Sequence, residues 1–199
     1  MSYSSFKTLA TIQSTFGLEL EESKNLFSQT QPRQPSDYLA IALAENVPLA
    51  NAVNTEKARS ELIIAPILLE IRRSFPGQVG FFSGTEFSVE PEKGLYGYCD
   101  YILTASAEIY EIKAPRITVV EAKNENIKGG LAQCIAEMVA AQKFNAASNN
   151  IGLILGAVTT GTLWKFLTLN GQVAAIDLDE YYIKAVSYTH LTLPTTSRV

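Results

Sequence analysis

Apolar positions along this chain recur at two periods, near 3.6 and near 2, and the switches between them lay out the elements. Residues 6–16 read as a short helix stopped by Gly17, and Gln31-Pro32-Arg33-Gln34-Pro35 is a turn-rich break. Ser36 caps a second helix through residues 38–44. Asn54 is placed to cap a long helix that starts at Thr55, carries Glu56 in its first turn and stops at Pro76-Gly77. The middle of that helix, residues 62–69, is apolar nearly all round, as in a buried helix. Pro66 predicts a kink one turn upstream, near Glu61 and Leu62. Strands are predicted over 79–89, 95–104 and 117–123, then a helix over 126–145. Further strands follow over 151–159, 162–169 and 173–178, the first two joined by Thr160-Gly161.

The order αβββαβ with added strands gives an α/β (α+β) class, with a central mixed sheet flanked by helices. Residues 1–52 read as a helical extension without chemistry of its own, and 53–186 as the main domain. Residues 187–199 break off the amphipathic pattern that ends at Ile183-Lys184-Ala185-Val186. They read as translated adaptor or vector sequence, to be left out of fold reasoning. That segment holds His190, the only histidine. Without it, Ser-His-Asp and Cys-His hydrolases and histidine-ligated metal sites drop out.

Composition narrows the field further. In 199 residues, 47% are apolar and 18% charged, enough apolar side chain for a sizeable core. No apolar run approaches a membrane span, and residues 1–7 lack the apolar core of a signal peptide. Cys99 and Cys134 are too few for a disulfide framework or a zinc cluster and are expected to fill the core. The expectation is a cytoplasmic protein without a membrane partner. A net charge of −4 argues against strong indiscriminate binding to nucleic acid. Arg59, Arg72, Arg73, Lys113, Arg116, Lys123 and Lys128 still offer local basic character.

The candidate chemistry lies in Asp100, within the strand-like run 98–103, and in Glu121-Ala122-Lys123, which ends the run Ile117-Thr118-Val119-Val120. A side-chain period of two places Glu121 and Lys123 on one face and Ala122 on the other. If the two strands pair, two carboxylates and one ammonium converge at a strand end expected to be open to solvent. Carboxylate oxygens suit a hard divalent cation, and the ammonium suits developing phosphorane charge. Glu-x-Lys alone is weak evidence. Glu22-Ser23-Lys24 and Glu111-Ile112-Lys113 fit it too, but no strand is expected to lead into the first, and Pro115 follows the second.

With these residues the chain resembles the PD-(D/E)XK nuclease superfamily, of restriction-endonuclease-like fold. Asp100 matches the first acid and Glu121-Ala122-Lys123 the E-x-K element, over a stretch from residue 55 to 170. Cys99 stands where the family pattern has proline. Two further residues match: Glu61 on the preceding helix and Gln133 on the following one. The resemblance implies that Asp100, Glu121 and the backbone carbonyl of Ala122 bind Mg²⁺ or Mn²⁺, with Glu61 sharing a second cation or else pairing with an arginine such as Arg59. Lys123 would stabilise transition-state charge, and Gln133 would orient the water or Lys123. The implied activity is hydrolysis of DNA phosphodiester bonds, with endo or exo action and homodimerisation left open. The alternative is a non-catalytic nucleic-acid-binding or assembly module of the same fold.

Overall fold

The computed structural model describes residues 2–31, 33–114, 117–147 and 152–183. The segment read as foreign, with His190, lies outside the described residues, as does Arg116. Helix α1 (Leu9–Phe16) begins at Thr8, whose hydroxyl accepts from the Thr11 N–H. It ends at Gly17, in the left-handed conformation (φ 65°) that glycine adopts without a Cβ penalty. A short strand β1 (Glu19–Glu21) precedes α2 (Asp37–Val53), which Ser36 caps as expected.

Asn54 does not cap the next helix. It closes α2 in the left-handed region (φ 50°), and its side-chain oxygen accepts from Arg59 Nη2 at 3.0 Å. Asparagine tolerates that conformation better than most residues, so Thr55 takes over as cap, accepting from the Ala58 N–H at 3.1 Å. The helical run then comprises α3 (Glu56–Arg59), a π-helical segment (Ser60–Ile64) and α4 (Ala65–Ser74). Where a kink was expected, around Glu61 and Leu62, the structure has this π-helical segment. Pro66 has no N–H for the Leu62 carbonyl four residues back, and Asn46 Nδ2 of α2 donates to that carbonyl instead, at 3.1 Å.

The remaining elements are β2 (Gly80–Glu86), β3 (Tyr98–Thr104), β4 (Ile117–Ala122), α5 (Ile127–Ala146), β5 (Ile154–Thr159), β6 (Leu163–Asn170), β7 (Val173–Ile176) and β8 (Tyr181–Tyr182). They build one eight-stranded sheet in the order β1-β7-β6-β5-β4-β3-β2, with β8 beside β6. β1–β7 and β4–β5 are parallel and the other pairs antiparallel. The parallel β4–β5 pair is joined through α5, the crossover that parallel neighbours require. The mixed α/β class read from the element order is thus the class adopted. β1 and β8 escaped the sequence reading because three and two residues are too few to show a period. A strand does therefore lead into Glu22-Ser23-Lys24, contrary to expectation, but there Lys24 pairs with Glu21 at 2.6 Å on the surface.

Each face of the sheet carries its own core. On one, Ile102, Val119 and Val158 pack with Cys134, Ile135 and Met138 of α5. Tyr3, Phe6 and Ile12 join that same core, so the N-terminal segment is built into the domain through these side chains and through β1. On the other face, Tyr101, Val120, Ala122 and Ala157 meet Ile64 and Leu68. Fully burying a side chain the size of Ile135 or Met138 stabilises by about 1.5–3 kcal/mol, so α5 is held firmly where it crosses the sheet. Among the described residues no helix is long and apolar enough to cross a membrane.

Candidate functional site

The site forms where β3 and β4 part. Their antiparallel pairing runs from Thr104↔Ile117 to Tyr101↔Val120 and stops there. One step further, Asp100 stands opposite Glu121, and residues directly opposite in an antiparallel pair share a face. Asp100 fills the broken ladder with its side chain: Oδ2 accepts the Ala122 N–H at 2.8 Å. β4 meanwhile stays paired with β5 through Glu121↔Val158 and Ala122↔Thr159, and the Lys123 N–H donates to the Thr159 carbonyl at 2.8 Å. The strand end bearing Glu121 and Lys123 is thus anchored on both sides by backbone donors. The Ala122 side chain points away, into the core of the opposite face.

Glu121 and Lys123 form an ion pair and hydrogen bond through Glu121 Oε1. The expected solvent-open position holds only for the lysine, whose side chain is 25% exposed; that of Glu121 is 2% exposed. The cause is α5, whose first turns lie over this end of the sheet. Gly130 permits the approach: a Cβ there would fall 2.7 Å from Val158 Cγ1 and 3.2 Å from Lys123 Cε.

The neighbourhood is more acidic than the sequence indicated. Glu137 of α5 is completely buried, and the charge of Glu121 bears on its carboxyl. Gln133, one turn earlier, donates Nε2 to Glu137 Oε1 at 3.1 Å. Gln133 therefore turns its amide towards Glu137 and not towards Lys123, one of the two partners expected for it. The Oε2 atoms of both Glu121 and Glu137 are buried without a hydrogen-bond donor. Glu137 follows Gln133 by four residues on the predicted helix 126–145, and a lone acid among Leu131, Ile135, Met138 and Ala141 is a signal that could have found it.

Electrostatics follow from this crowding. Burial, then the charge of Asp100, pushes the Glu121 carboxyl up to about 7, with Lys123 opposing. Burial and the charge of Glu121 push Glu137 well above the ordinary carboxylate range. Asp100 is raised by burial and partly held back by the Ala122 N–H. Burial pulls the Lys123 ammonium down, but the Glu121 charge and hydrogen bond outweigh it and the net shift is upward. A lysine so placed stays protonated, which suits an electrostatic role and not that of a general base.

Glu61 lies outside the cluster. It pairs with Lys57 at 2.8 Å on the exposed helix face, while Arg59 turns to the Thr160 carbonyl and Asn54. The helix acid whose charge reaches Lys123 is Glu56, five residues earlier. Among the other basic residues, Arg73 stacks over the Tyr38 ring at 4.2 Å and Lys113 pairs with Glu108 at 3.1 Å. Cys99 and Cys134 are buried free thiols, as expected of core residues.

The donor set fits a hard divalent cation. Every candidate ligand is oxygen, carboxyls outnumber the single ammonium, and a buried Glu121 oxygen has no donor. Among the described residues no three histidine, cysteine or acidic side chains form a metal-holding group. The arrangement that fits is two carboxylates completed by backbone oxygen and water, the coordination Mg²⁺ favours. No family model matches this chain, and no curated protein does. The resemblance noted above therefore rests on the site residues and on the order of elements.

Proposed function

We propose that this protein is a Mg²⁺- or Mn²⁺-dependent nuclease that hydrolyses DNA phosphodiester bonds on a restriction-endonuclease-like core. The observation that carries the reading is the meeting of Asp100, Glu121 and Lys123 on one face, where β3 and β4 part. Asp100 and Glu121 would hold the cation, with the Ala122 backbone carbonyl. When bound, the cation supplies charge neutralisation at the scissile phosphate and lowers the pKa of water. Lys123, partly exposed and favoured in its charged form by Glu121, stabilises the negative charge that builds on the phosphoryl oxygens. To do so its ammonium would share or give up its contact with Glu121, a residue that would also hold the cation. Glu61 is left out of the ligand set because of its exposed pairing with Lys57.

The alternative is a nucleic-acid-binding or assembly module of the same fold without catalysis. The observation on its side is that Lys123 already neutralises a Glu121 that is almost wholly buried. Incubation with supercoiled plasmid, linear duplex and single-stranded DNA separates the two readings. Cleavage with Mg²⁺ that EDTA abolishes supports the nuclease. DNA retained but left intact at millimolar Mg²⁺ and Mn²⁺ supports the module.

A further inference from the structure

Tyr98 opens β3 two residues before Asp100, about 6.6 Å along an extended strand. β4 runs antiparallel beside β3, so Tyr98 stands at the same end of the sheet as Glu121 and Lys123. It is 69% exposed. Single exposed aromatics are ordinary. Two others here are engaged, however: Arg73 lies over the Tyr38 ring, and the Tyr182 hydroxyl donates to Glu180. The ring and hydroxyl of Tyr98 have no such partner among the described residues. Its cross-strand neighbour is Glu86 on β2, an edge strand of the sheet. Between the pairs Ser83↔Tyr101 and Thr85↔Cys99, Gly84 stands opposite Asp100. Its left-handed φ of 59° accounts for glycine there, and a Cβ at that position would meet nothing within 4 Å. The β2 position beside Asp100 is thus open, two residues from the free ring.

The site itself is recessed and acidic. Glu121 is buried beneath α5, and the carboxyls of Asp100, Glu121 and Glu137 stand against the Lys123 ammonium. Such a site draws a polyanion only weakly through charge, so affinity needs another source. A duplex is stiff over tens of base pairs and keeps both faces of each base covered. A single strand bends into a recess and offers bare base faces to an aromatic ring.

We infer that Tyr98 is a base-stacking residue and that the substrate class of this site is single-stranded or frayed DNA, with a base next to the scissile phosphate stacked on the Tyr98 ring. This rests on the nuclease reading. Phenylalanine at 98 would keep the π face and lose only the hydroxyl, whereas alanine would lose the face. Either change falls on an exposed side chain, where stability moves little.

The test compares wild type, Tyr98→Ala and Tyr98→Phe as full chains, each shown to be folded by circular dichroism. Affinity for a fluorescein-labelled single strand of mixed sequence, and for its duplex, is read by fluorescence anisotropy with Ca²⁺ in place of Mg²⁺. Mg²⁺-dependent cleavage of the same DNAs is followed in parallel. Losing one aromatic stacking platform costs about 5–100-fold in affinity. The expected result is tighter binding of the single strand than of the duplex by wild type, a loss in that range for Tyr98→Ala, and recovery of most of it by Tyr98→Phe. KM for the single strand should rise in Tyr98→Ala by a similar factor. Wild-type cleavage with equal single-strand affinity in all three proteins overturns the inference and leaves the nuclease reading standing. So does a Tyr98→Phe loss as large as that of Tyr98→Ala, or a wild type that prefers the duplex. A folded wild type that cleaves neither form removes both.

Discussion

The buried Glu121 makes a quantitative prediction about pH. Its carboxyl is displaced from 4.5 to about 7 by burial and by Asp100, so the folded state binds the proton more tightly than the unfolded chain. For an acid raised in this way, the stabilising contribution is fully present below about pH 4.5 and is lost as pH rises through about 7. Each pH unit between the two values is worth about 1.4 kcal/mol, so the cation-free protein should lose about 3 kcal/mol through this one group by pH 8. Glu121→Gln is nearly isosteric and does not titrate. Asp100 and Glu137 titrate in both proteins, so the difference between them isolates Glu121 and its coupling to its neighbours. The assay is urea unfolding in EDTA at pH 5 and pH 8. Wild type should fall by about 2.5 kcal/mol more than Glu121→Gln between the two, or by roughly 5–10 °C in melting temperature for a domain of this size. Mg²⁺ at pH 8 should restore the wild type, by about 2.7 kcal/mol at a hundredfold excess over Kd, and leave the variant unchanged. The same pH dependence in both proteins would refute the argument that Glu121 is held in a desolvated acidic cluster.

Other expectations follow from single contacts. Asn46→Ala removes the donor that serves the Leu62 carbonyl beside Pro66, and chemical unfolding should register a loss of about 1–3 kcal/mol. Gly130→Ala would gain about 1 kcal/mol of helix propensity in an open helix. Here overpacking against Val158 and Lys123 wins, so the variant should melt lower and cleave more slowly. Glu61→Gln loses only an exposed pair with Lys57 and should match wild type in both melting temperature and cleavage rate; a tenfold slower variant would return Glu61 to the site.

Much of the fold was legible because its longer elements carry clean periods. The Ile117–Val120 run, the helix over 126–145 and the Gly17 and Ser36 helix boundaries are local signals, and each stands where the pattern put it. The convergence of Asp100 and Glu121 could be anticipated for the same reason, since it needs only two strands and their faces. What depended on neighbours far along the chain was not legible. Asn54 and Thr55 are both acceptable caps, and the Arg59 contact goes with Asn54 as a helix terminator. β1 is ordered by pairing with β7, more than 150 residues away. The burial of Glu121 is imposed by α5 crossing above it, and the exposed pair with Lys57 leaves Glu61 outside the cluster.

The central claim is that Asp100, Glu121 and Lys123 act together on a phosphodiester. It is tested most directly by Mg²⁺-dependent cleavage of plasmid and end-labelled duplex DNA by wild type, Asp100→Asn and Lys123→Ala, purified in parallel and shown to be folded. The account predicts cleavage by wild type that EDTA abolishes, and a fall of at least about 10²-fold in each variant. Cleavage by both variants at the wild-type rate, or none by a folded, cation-loaded wild type on any DNA form, would contradict it.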